Sequence, residues 1–153
     1  MCTGLAISCS ELPASFVEAN VDHLYLREGR EELQFHWWQS PAMLPVRWGG
    51  KIVNVRWGSK LKRSPLPLGG WIEREPLEAG SLAHMEPEEV VIPANLGFQH
   101  GTWFLIEEGI AGVLIPETPL GPVAYMLMVP STNYYRNMTG QTSRMPVFVN
   151  QVI

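Results

Sequence analysis

The apolar positions of this chain come mostly in short runs rich in β-branched and aromatic residues, the pattern of β-strands. Glycine, proline and acidic residues separate these runs, as they do at turns. The segment Glu107-Glu108-Gly109 is predicted to be a hairpin turn, because an apolar run lies on each side of it. The pattern predicts strands at residues 51–57, 89–92, 102–106, 110–115, 124–129 and 146–149.

One amino-terminal segment has helical spacing instead. The pattern predicts a helix from Ser10 to Leu26, with Ser10 as its cap and Pro13 in its first turn. The face of this helix is formed by Leu12, Phe16, Ala19 and His23. We therefore expect an α+β fold with a mostly antiparallel, barrel-like β-sheet, one N-terminal helix and few others. The most mobile loop is predicted at Lys60 to Gly70, and binding residues are often placed on such loops.

The length and the cysteine count narrow the class of protein. A chain of 153 residues is expected to form a single domain over residues 1–153. Cys2 and Cys9 cannot build a disulfide framework, and the four histidines are scattered, so we expect no metal site and no cofactor. The apolar start is short and no basic residue precedes it, which predicts neither a signal peptide nor a membrane span. We expect a cytoplasmic protein.

The charges are distributed unevenly along the chain. The net charge is −4, yet the stretch from Leu33 to Ile72 has no acidic residue and carries six of the eleven basic residues and five of the six tryptophans. Cations interleaved with flat rings suit single-stranded DNA, because phosphates pair with the cations and unstacked bases lie on the rings. The alternative is a β-rich core with tryptophans inside and basic residues outside. The basic residues are Arg47, Lys51, Arg56, Lys60, Lys62 and Arg63, and the tryptophans are Trp37, Trp38, Trp48, Trp57 and Trp71.

Cys2 follows Met1 directly, and this position gives it a possible chemistry of its own. Removal of Met1 would leave an amine and a thiol on one residue. Such a 1,2-aminothiol condenses with an aldehyde to an imine, and the thiolate then closes on the imine carbon to give a thiazolidine. A retained Met1 would acylate the nitrogen and prevent this reaction. The alternative for Cys2 is a small buried thiol.

Six short motifs occur in order along nearly the whole chain. They are Met1-Cys2, Arg56-Trp57-Gly58, Val91-Ile92-Pro93-Ala94, Ile110-Ala111-Gly112, Ser131-Thr132-Asn133 and Arg144-Met145-Pro146-Val147. In this order they resemble the SOS-response-associated peptidase (SRAP) family. Members of that family crosslink covalently to abasic sites in single-stranded DNA through an N-terminal cysteine.

The resemblance implies site residues, some of which differ from the family pattern. Cys2 would be the nucleophile, and the family's catalytic glutamate falls on Gln99 or on His100, depending on where the motif is aligned. Glutamine cannot exchange a proton, whereas histidine can act as an acid or a base. The family's histidine falls on Thr142. The implied DNA-binding residues are Arg47, Trp48, Arg56, Trp57, Lys60, Lys62, Arg63, Glu73, Asn133 and Arg144.

These observations give one expected function and two alternatives. We expect a monomeric, nucleoid-associated protein that binds single-stranded or gapped DNA and crosslinks to abasic sites through a Cys2 thiazolidine once Met1 is removed. The first alternative is a catalytically silent DNA-binding module of the same fold. The second is a small protein-interaction domain that uses the acidic stretches at residues 28–32 and 86–89.

Overall fold

The computed structural model describes residues 1–151 and contains two sheets. The first is a five-stranded antiparallel sheet in the order β2-β3-β1-β8-β9. Its central strand β1 carries the amino terminus, so Cys2 and Thr3 lead directly into the middle of a sheet. The strands are β1 (Gly4–Ser8), β2 (Leu24–Arg27), β3 (Arg30–His36), β8 (Leu96–Gln99) and β9 (Thr102–Leu105).

The second sheet closes on itself. Five strands in the order β10-β7-β4-β5-β11 form a barrel, because β11 pairs with β10 on one side and with β5 on the other. The pairing of β5 with β11 is parallel, whereas the other pairs of the ring are antiparallel. Strands β6 (Trp71–Glu73) and β12 (Arg144–Pro146) pair with the far end of β11. The barrel strands are β4 (Met43–Trp48), β5 (Lys51–Trp57), β7 (Glu88–Ile92), β10 (Ile110–Ile115) and β11 (Val123–Pro130).

The core lies between the inner face of the first sheet and the barrel. Leu5, Leu33 and Phe35 of the sheet belong to one buried cluster with Leu44 and Ile92 of the barrel. This arrangement confirms the expected fold class: the structure is α+β, mostly antiparallel and has few helices. It also contains the closed barrel that the strand pattern suggested.

The predicted helix from Ser10 to Leu26 is wrong in its length. Residues 1–151 contain three α-helices, α1 (Ala14–Ala19), α2 (Arg74–Glu78) and α3 (Asn133–Thr139). The first ends where the side chain of Asn20 donates a hydrogen bond of 2.9 Å to the carbonyl of Phe16. Leu24 already begins β2, because pairing with β3 satisfies its backbone there. The helical spacing of apolar residues therefore extends past the end of the helix and into the residues that form β2.

The strand predictions are mostly confirmed, but the predicted turn is wrong. Residues 51–57 and 110–115 form strands with the predicted bounds, and those predicted at 89–92, 102–106 and 124–129 differ by one residue at one or both ends. The strand predicted at 146–149 is wrong, because the observed strand is Arg144–Pro146 and shares only Pro146 with it. The segment Glu107-Glu108-Gly109 does not close a hairpin, since β9 lies in the sheet and β10 in the barrel. Gly109 has φ of +134°, and a Cβ there would lie 2.6 Å from the carbonyl oxygen of Ile92. A glycine is needed where the chain crosses closely over β7.

Candidate functional site

Cys2 is fully buried at the entrance to β1. Its thiol donates a hydrogen bond of 3.1 Å to the carbonyl oxygen of Gly4, and its own carbonyl accepts one of 2.9 Å from the indole Nε1 of Trp71. The amide of Thr3 donates to the carbonyl of Phe98, which holds the residue beside β8. Both polar groups of the Cys2–Thr3 peptide are therefore hydrogen-bonded.

Burial changes the acid–base properties of Cys2. It raises the pKa of the thiol to about 11, although backbone hydrogen bonds at Phe98 and Gly4 act in the opposite direction. Burial also lowers the pKa of the Met1 amine. Because the thiolate is the nucleophile, Cys2 is a weak nucleophile in the chain that carries Met1. Its nitrogen is then an amide, which cannot form an imine.

Gln99 and Thr142 form a pair near this end of β1. The Gln99 side chain is 2% exposed, and its Nε2 donates to the hydroxyl of Thr142 over 3.2 Å. The other end of the same amide, Oε1, is buried and has no hydrogen-bond partner. These are the positions at which the resemblance places the family's glutamate and histidine, and the structure brings them together.

His100 lies apart from this pair. It is exposed at the turn between β8 and β9, with φ of +47°, and is followed by Gly101 with φ of +74°. Two successive positive φ values are typical of a tight hairpin turn. Of the two candidates for the glutamate position, Gln99 is thus the one that contacts Thr142, and His100 is corrected to a turn residue.

Tyr135 is a member of this region that the sequence reasoning missed. It lies on α3 and is fully buried, and its hydroxyl has no hydrogen-bond partner. Burial raises its pKa, and a charge on Cys2 raises it further, which places the two side chains within electrostatic reach of each other. The available signal was its position between the Ser131-Thr132-Asn133 and Arg144-Met145-Pro146 motifs.

Three tryptophans pack together next to Cys2. The ring centroids of Trp37, Trp57 and Trp71 are 5.1–5.7 Å apart. Trp57 is only 2% exposed and donates to the carbonyl of Gly70 over 2.9 Å. The prediction that Trp57 binds DNA is therefore corrected. Its indole lies in the hydrophobic core, which is the alternative that the sequence left open for the tryptophans. Lys60 lies over Trp37, 4.6 Å from the ring centroid, and donates to the Trp37 carbonyl.

The basic residues do not form one groove. Arg47 and Trp48 lie at the β4–β5 turn, whereas Trp57 and Lys60 lie at the opposite end of β5, about 20 Å away along a strand of this length. Arg47 instead lines a groove of about 870 Å³ between α1 and β5. The single basic groove expected from the sequence is thus corrected, because strand β5 separates its members.

The remaining DNA-binding candidates are exposed to different degrees. Arg56 is exposed on β5 opposite Met43, and Asn133 is exposed at the start of α3. Lys62 and Arg63 line an apolar groove of about 470 Å³ with Leu61, Leu66, Pro119 and Leu120. Glu73 and Arg144 form a hydrogen-bonded ion pair between β6 and β12, and both remain more than a third exposed.

Residues 1–151 include no group of three or more histidine, cysteine, aspartate or glutamate side chains placed to hold a metal ion. Among the helices described, none has the length and apolar character needed to span a membrane. Comparison with protein-family models, with curated proteins and with solved structures found no match to this chain.

The chemistry available at this site follows from its composition. The thiol of Cys2, the amide of Gln99 and the hydroxyls of Thr142 and Tyr135 are one nucleophile and three neutral hydrogen-bonding groups. None of the last three carries a charge at neutral pH. These three groups can donate or accept hydrogen bonds, and none of them is a strong acid or base.

Proposed function

We propose that this protein binds single-stranded or gapped DNA and, once Met1 is removed, captures the aldehyde of an abasic site as a thiazolidine on Cys2. The observation that carries the proposal is the meeting of residues far apart in sequence. Cys2 and Thr3 lie against Phe98 of β8, the residue before Gln99, and Gln99 is hydrogen-bonded to Thr142. These are three positions that the resemblance to the SRAP family assigns to the crosslinking site.

The reaction balances with the groups at hand. The Cys2 amine adds to the aldehyde carbon, water leaves, and the sulfur then bonds to the resulting imine carbon while the thiol proton passes to the nitrogen. One water is lost overall, and no oxidant or metal is needed. Without a glutamate or a histidine at the site, acid–base assistance worth about 10² to 10⁴ in rate is absent. We therefore propose a slow capture reaction.

Removal of Met1 also changes the electrostatics of the thiol. The free amine of Cys2 would be an ammonium on the same residue as the sulfur, and a nearby positive charge favours the thiolate. The raised pKa of about 11 belongs to the chain that carries Met1. Processing would thus create the imine-forming amine and increase the reactivity of the thiol together.

DNA contacts are proposed for the exposed cations nearest to Cys2. The ammonium group of Lys60 lies over the Trp37 ring, and the Trp37 amide donates a hydrogen bond to the carbonyl of Thr3. Lys60 is therefore connected through Trp37 to the residue that follows Cys2. Arg144 is exposed beside α3 and can contact a phosphate when Glu73 releases it. Arg56, Lys62 and Arg63 extend the basic surface along the loop that follows β5.

Intact mass spectrometry tests the covalent step. Protein that lacks Met1 is incubated with a single-stranded oligonucleotide carrying one abasic site. We expect an adduct equal to protein plus DNA minus one water. Cys2→Ala should abolish it, and Cys9→Ala, which changes a thiol at the other end of β1, should retain it. An adduct that persists in Cys2→Ala contradicts the mechanism.

A second candidate function is a DNA-binding module without chemistry. The burial of the Cys2 thiol and the neutral side chains at positions 99 and 142 favour it. It predicts binding to single strands that weakens linearly in log affinity with log salt concentration, because bound cations release counterions. Binding without an adduct from protein that lacks Met1 would select this function over the first.

A further inference from the structure

Two buried polar atoms without partners lie on the Cys2 side of the core. Among residues 1–151 the Oε1 of Gln99 and the hydroxyl of Tyr135 are both buried and unpartnered. A buried polar group without a hydrogen bond costs free energy, so each such atom in a folded protein calls for an explanation. Neither the Gln99 Oε1 nor the Tyr135 hydroxyl serves as the hydrogen-bond partner of a neighbouring group in the described part of the chain.

The two side chains are connected through the elements that carry them. The Tyr135 ring packs edge-on against Phe104, with centroids 5.6 Å apart, and the Phe104 ring occupies the space that a Cβ on Gly97 would need. Gly97 and Gln99 point to the same face of β8, because strand residues two apart share a face. Tyr135 therefore lies beneath the segment of β8 that carries Gln99.

A chain of hydrogen bonds fixes α3 against the same segment. The Thr139 hydroxyl donates to the carbonyl of Tyr135 over 2.6 Å, and Thr142 bonds in turn to the Thr139 carbonyl. Thr142 also accepts from Gln99 Nε2, so the amide is held with its oxygen free. These hydrogen bonds link the helix that carries Tyr135 to Gln99.

We propose that Tyr135 is a positioning residue that selects aldehydes carrying a hydroxyl group, by donating a hydrogen bond to that hydroxyl while Gln99 Oε1 accepts its proton. The inference rests on the proposed function, since it concerns the aldehyde that Cys2 captures. A ring-opened abasic sugar has its aldehyde on C1 and a hydroxyl on C4. A hydroxyl group can accept a hydrogen bond from one partner and donate its own proton to another, so one donor and one acceptor can bind it.

The protonation state of Tyr135 suits this role. Burial and the proximity of Cys2 raise its pKa, so the phenol stays protonated and keeps its donor at all pH values at which the Cys2 amine reacts. Gln99 Oε1 is an acceptor at every pH. The pair recognises a hydroxyl without itself taking part in proton transfer.

Two small aldehydes test the inference without DNA. 4-Hydroxybutanal and butanal differ only in the C4 hydroxyl, and their rates of thiazolidine formation with protein that lacks Met1 are measured by intact mass. Each rate is divided by that of free L-cysteine, which corrects for the fraction of free aldehyde. We expect wild type to favour 4-hydroxybutanal by about tenfold, the value of one hydrogen bond.

Tyr135→Phe keeps the ring against Phe104 and removes only the hydroxyl. We expect it to lower the corrected preference for 4-hydroxybutanal to about one. Tyr125→Phe is the matched control, because the Tyr125 hydroxyl donates to the carbonyl of Pro67 in a different buried cluster. A structural role of the Tyr135 hydroxyl would instead lower the urea midpoint and leave the preference unchanged.

The outcomes separate the two proposals. A wild-type preference equal to that of free cysteine, or one unchanged in Tyr135→Phe, overturns the role of Tyr135 and leaves the capture chemistry standing. If neither aldehyde forms an adduct with protein that lacks Met1, the capture chemistry fails and the role of Tyr135 fails with it.

Discussion

The indole Nε1 of Trp71 donates a hydrogen bond of 2.9 Å to the backbone carbonyl of Cys2. This contact joins β6, at the end of the barrel, to the residue that precedes β1 of the other sheet. It fixes the peptide group of the proposed nucleophile from a position that is distant in sequence. The geometry of Cys2 therefore depends on the packing of both sheets.

Replacing Trp71 with phenylalanine tests this contact. Trp71→Phe keeps an aromatic ring against Trp37 and Trp57 but leaves the Cys2 carbonyl without its donor. We expect the free energy of unfolding in urea to fall by about 1–3 kcal/mol, through the lost hydrogen bond and the smaller ring. Trp38→Phe, at a position 68% exposed, should change it by less than about 0.5 kcal/mol. Equal effects of the two variants would contradict the importance of the contact.

The raised pKa of Cys2 predicts a loss of stability at high pH in the chain that carries Met1. The thiol is protonated in both states below pH 9.0, the unfolded value, and the unfolded state loses its proton first as the pH rises. The stabilising contribution of the neutral buried thiol is thus present below pH 9.0 and is lost by about pH 11, an effect of about 3 kcal/mol. Urea unfolding at pH 8 and pH 10.5 measures it.

Cys2→Ala is the control for this pH dependence, because it retains the tyrosines that titrate in the same range. Burial raises the pKa of Tyr125 to about 12, so part of any loss at pH 10.5 is common to both proteins. We expect the wild type to lose more stability than Cys2→Ala between the two pH values. Parallel losses would mean that the thiol is not buried as the structure shows.

Restoring a carboxyl group at position 99 should accelerate the proposed capture reaction. In Gln99→Glu a carboxyl group replaces the amide in the same buried place, and burial raises its pKa so that it can exchange a proton near neutrality. We expect the rate of crosslinking to an abasic oligonucleotide to rise by about 10²-fold, with a rate that depends on pH. His100→Asn, at the exposed turn, should leave the rate unchanged. A rate that does not respond to Gln99→Glu would argue against position 99 as part of the site.

Because Glu73 and Arg144 form an ion pair, we expect substitutions of these two residues to have opposite effects on DNA binding. Both side chains are more than a third exposed, so the pair stabilises the fold by only about 0.5 kcal/mol. Glu73→Gln should release the guanidinium and strengthen binding to an oligothymidine, whereas Arg144→Gln should weaken it and reduce the salt slope by about one. Fluorescence anisotropy at several salt concentrations measures both. If both variants bind as wild type does, Arg144 does not contact the strand.

The sequence predicted the fold class because four of the five barrel strands are locally clear, although β4 was not predicted. Residues 51–57 and 110–115 are rich in apolar and β-branched residues, and their bounds are confirmed. Strand β3 was missed because it mixes Glu31, Glu32 and Gln34 with apolar residues. The Glu32 carboxylate accepts hydrogen bonds from Arg27 and Gln34 on the outer face of the sheet, and only tertiary pairing shows this.

The site was harder to predict than the fold because its members come from four separated segments. Cys2, Gln99 and Thr142 were identified through short motifs, and the structure brings them into one region. Tyr135 belongs to none of these motifs, and its position between two of them was the available signal; its neighbour Tyr134 is exposed. Trp57 was misassigned because an interleaved pattern of cations and rings does not show which rings face inward.

The parallel pairing of β5 with β11 has a consequence for the order in which the molecule folds. Arg56 and Trp57 meet Val123 and Ala124, which lie far along the chain, and such distant contacts form slowly because the loop between them must first be ordered. The hairpins β2–β3, β4–β5 and β8–β9 are local and can form earlier. Tyr135 of α3 belongs to the same buried cluster as Cys2 and follows β11 in sequence, so we expect the burial of the Cys2 sulfur to be completed only when the last quarter of the chain docks.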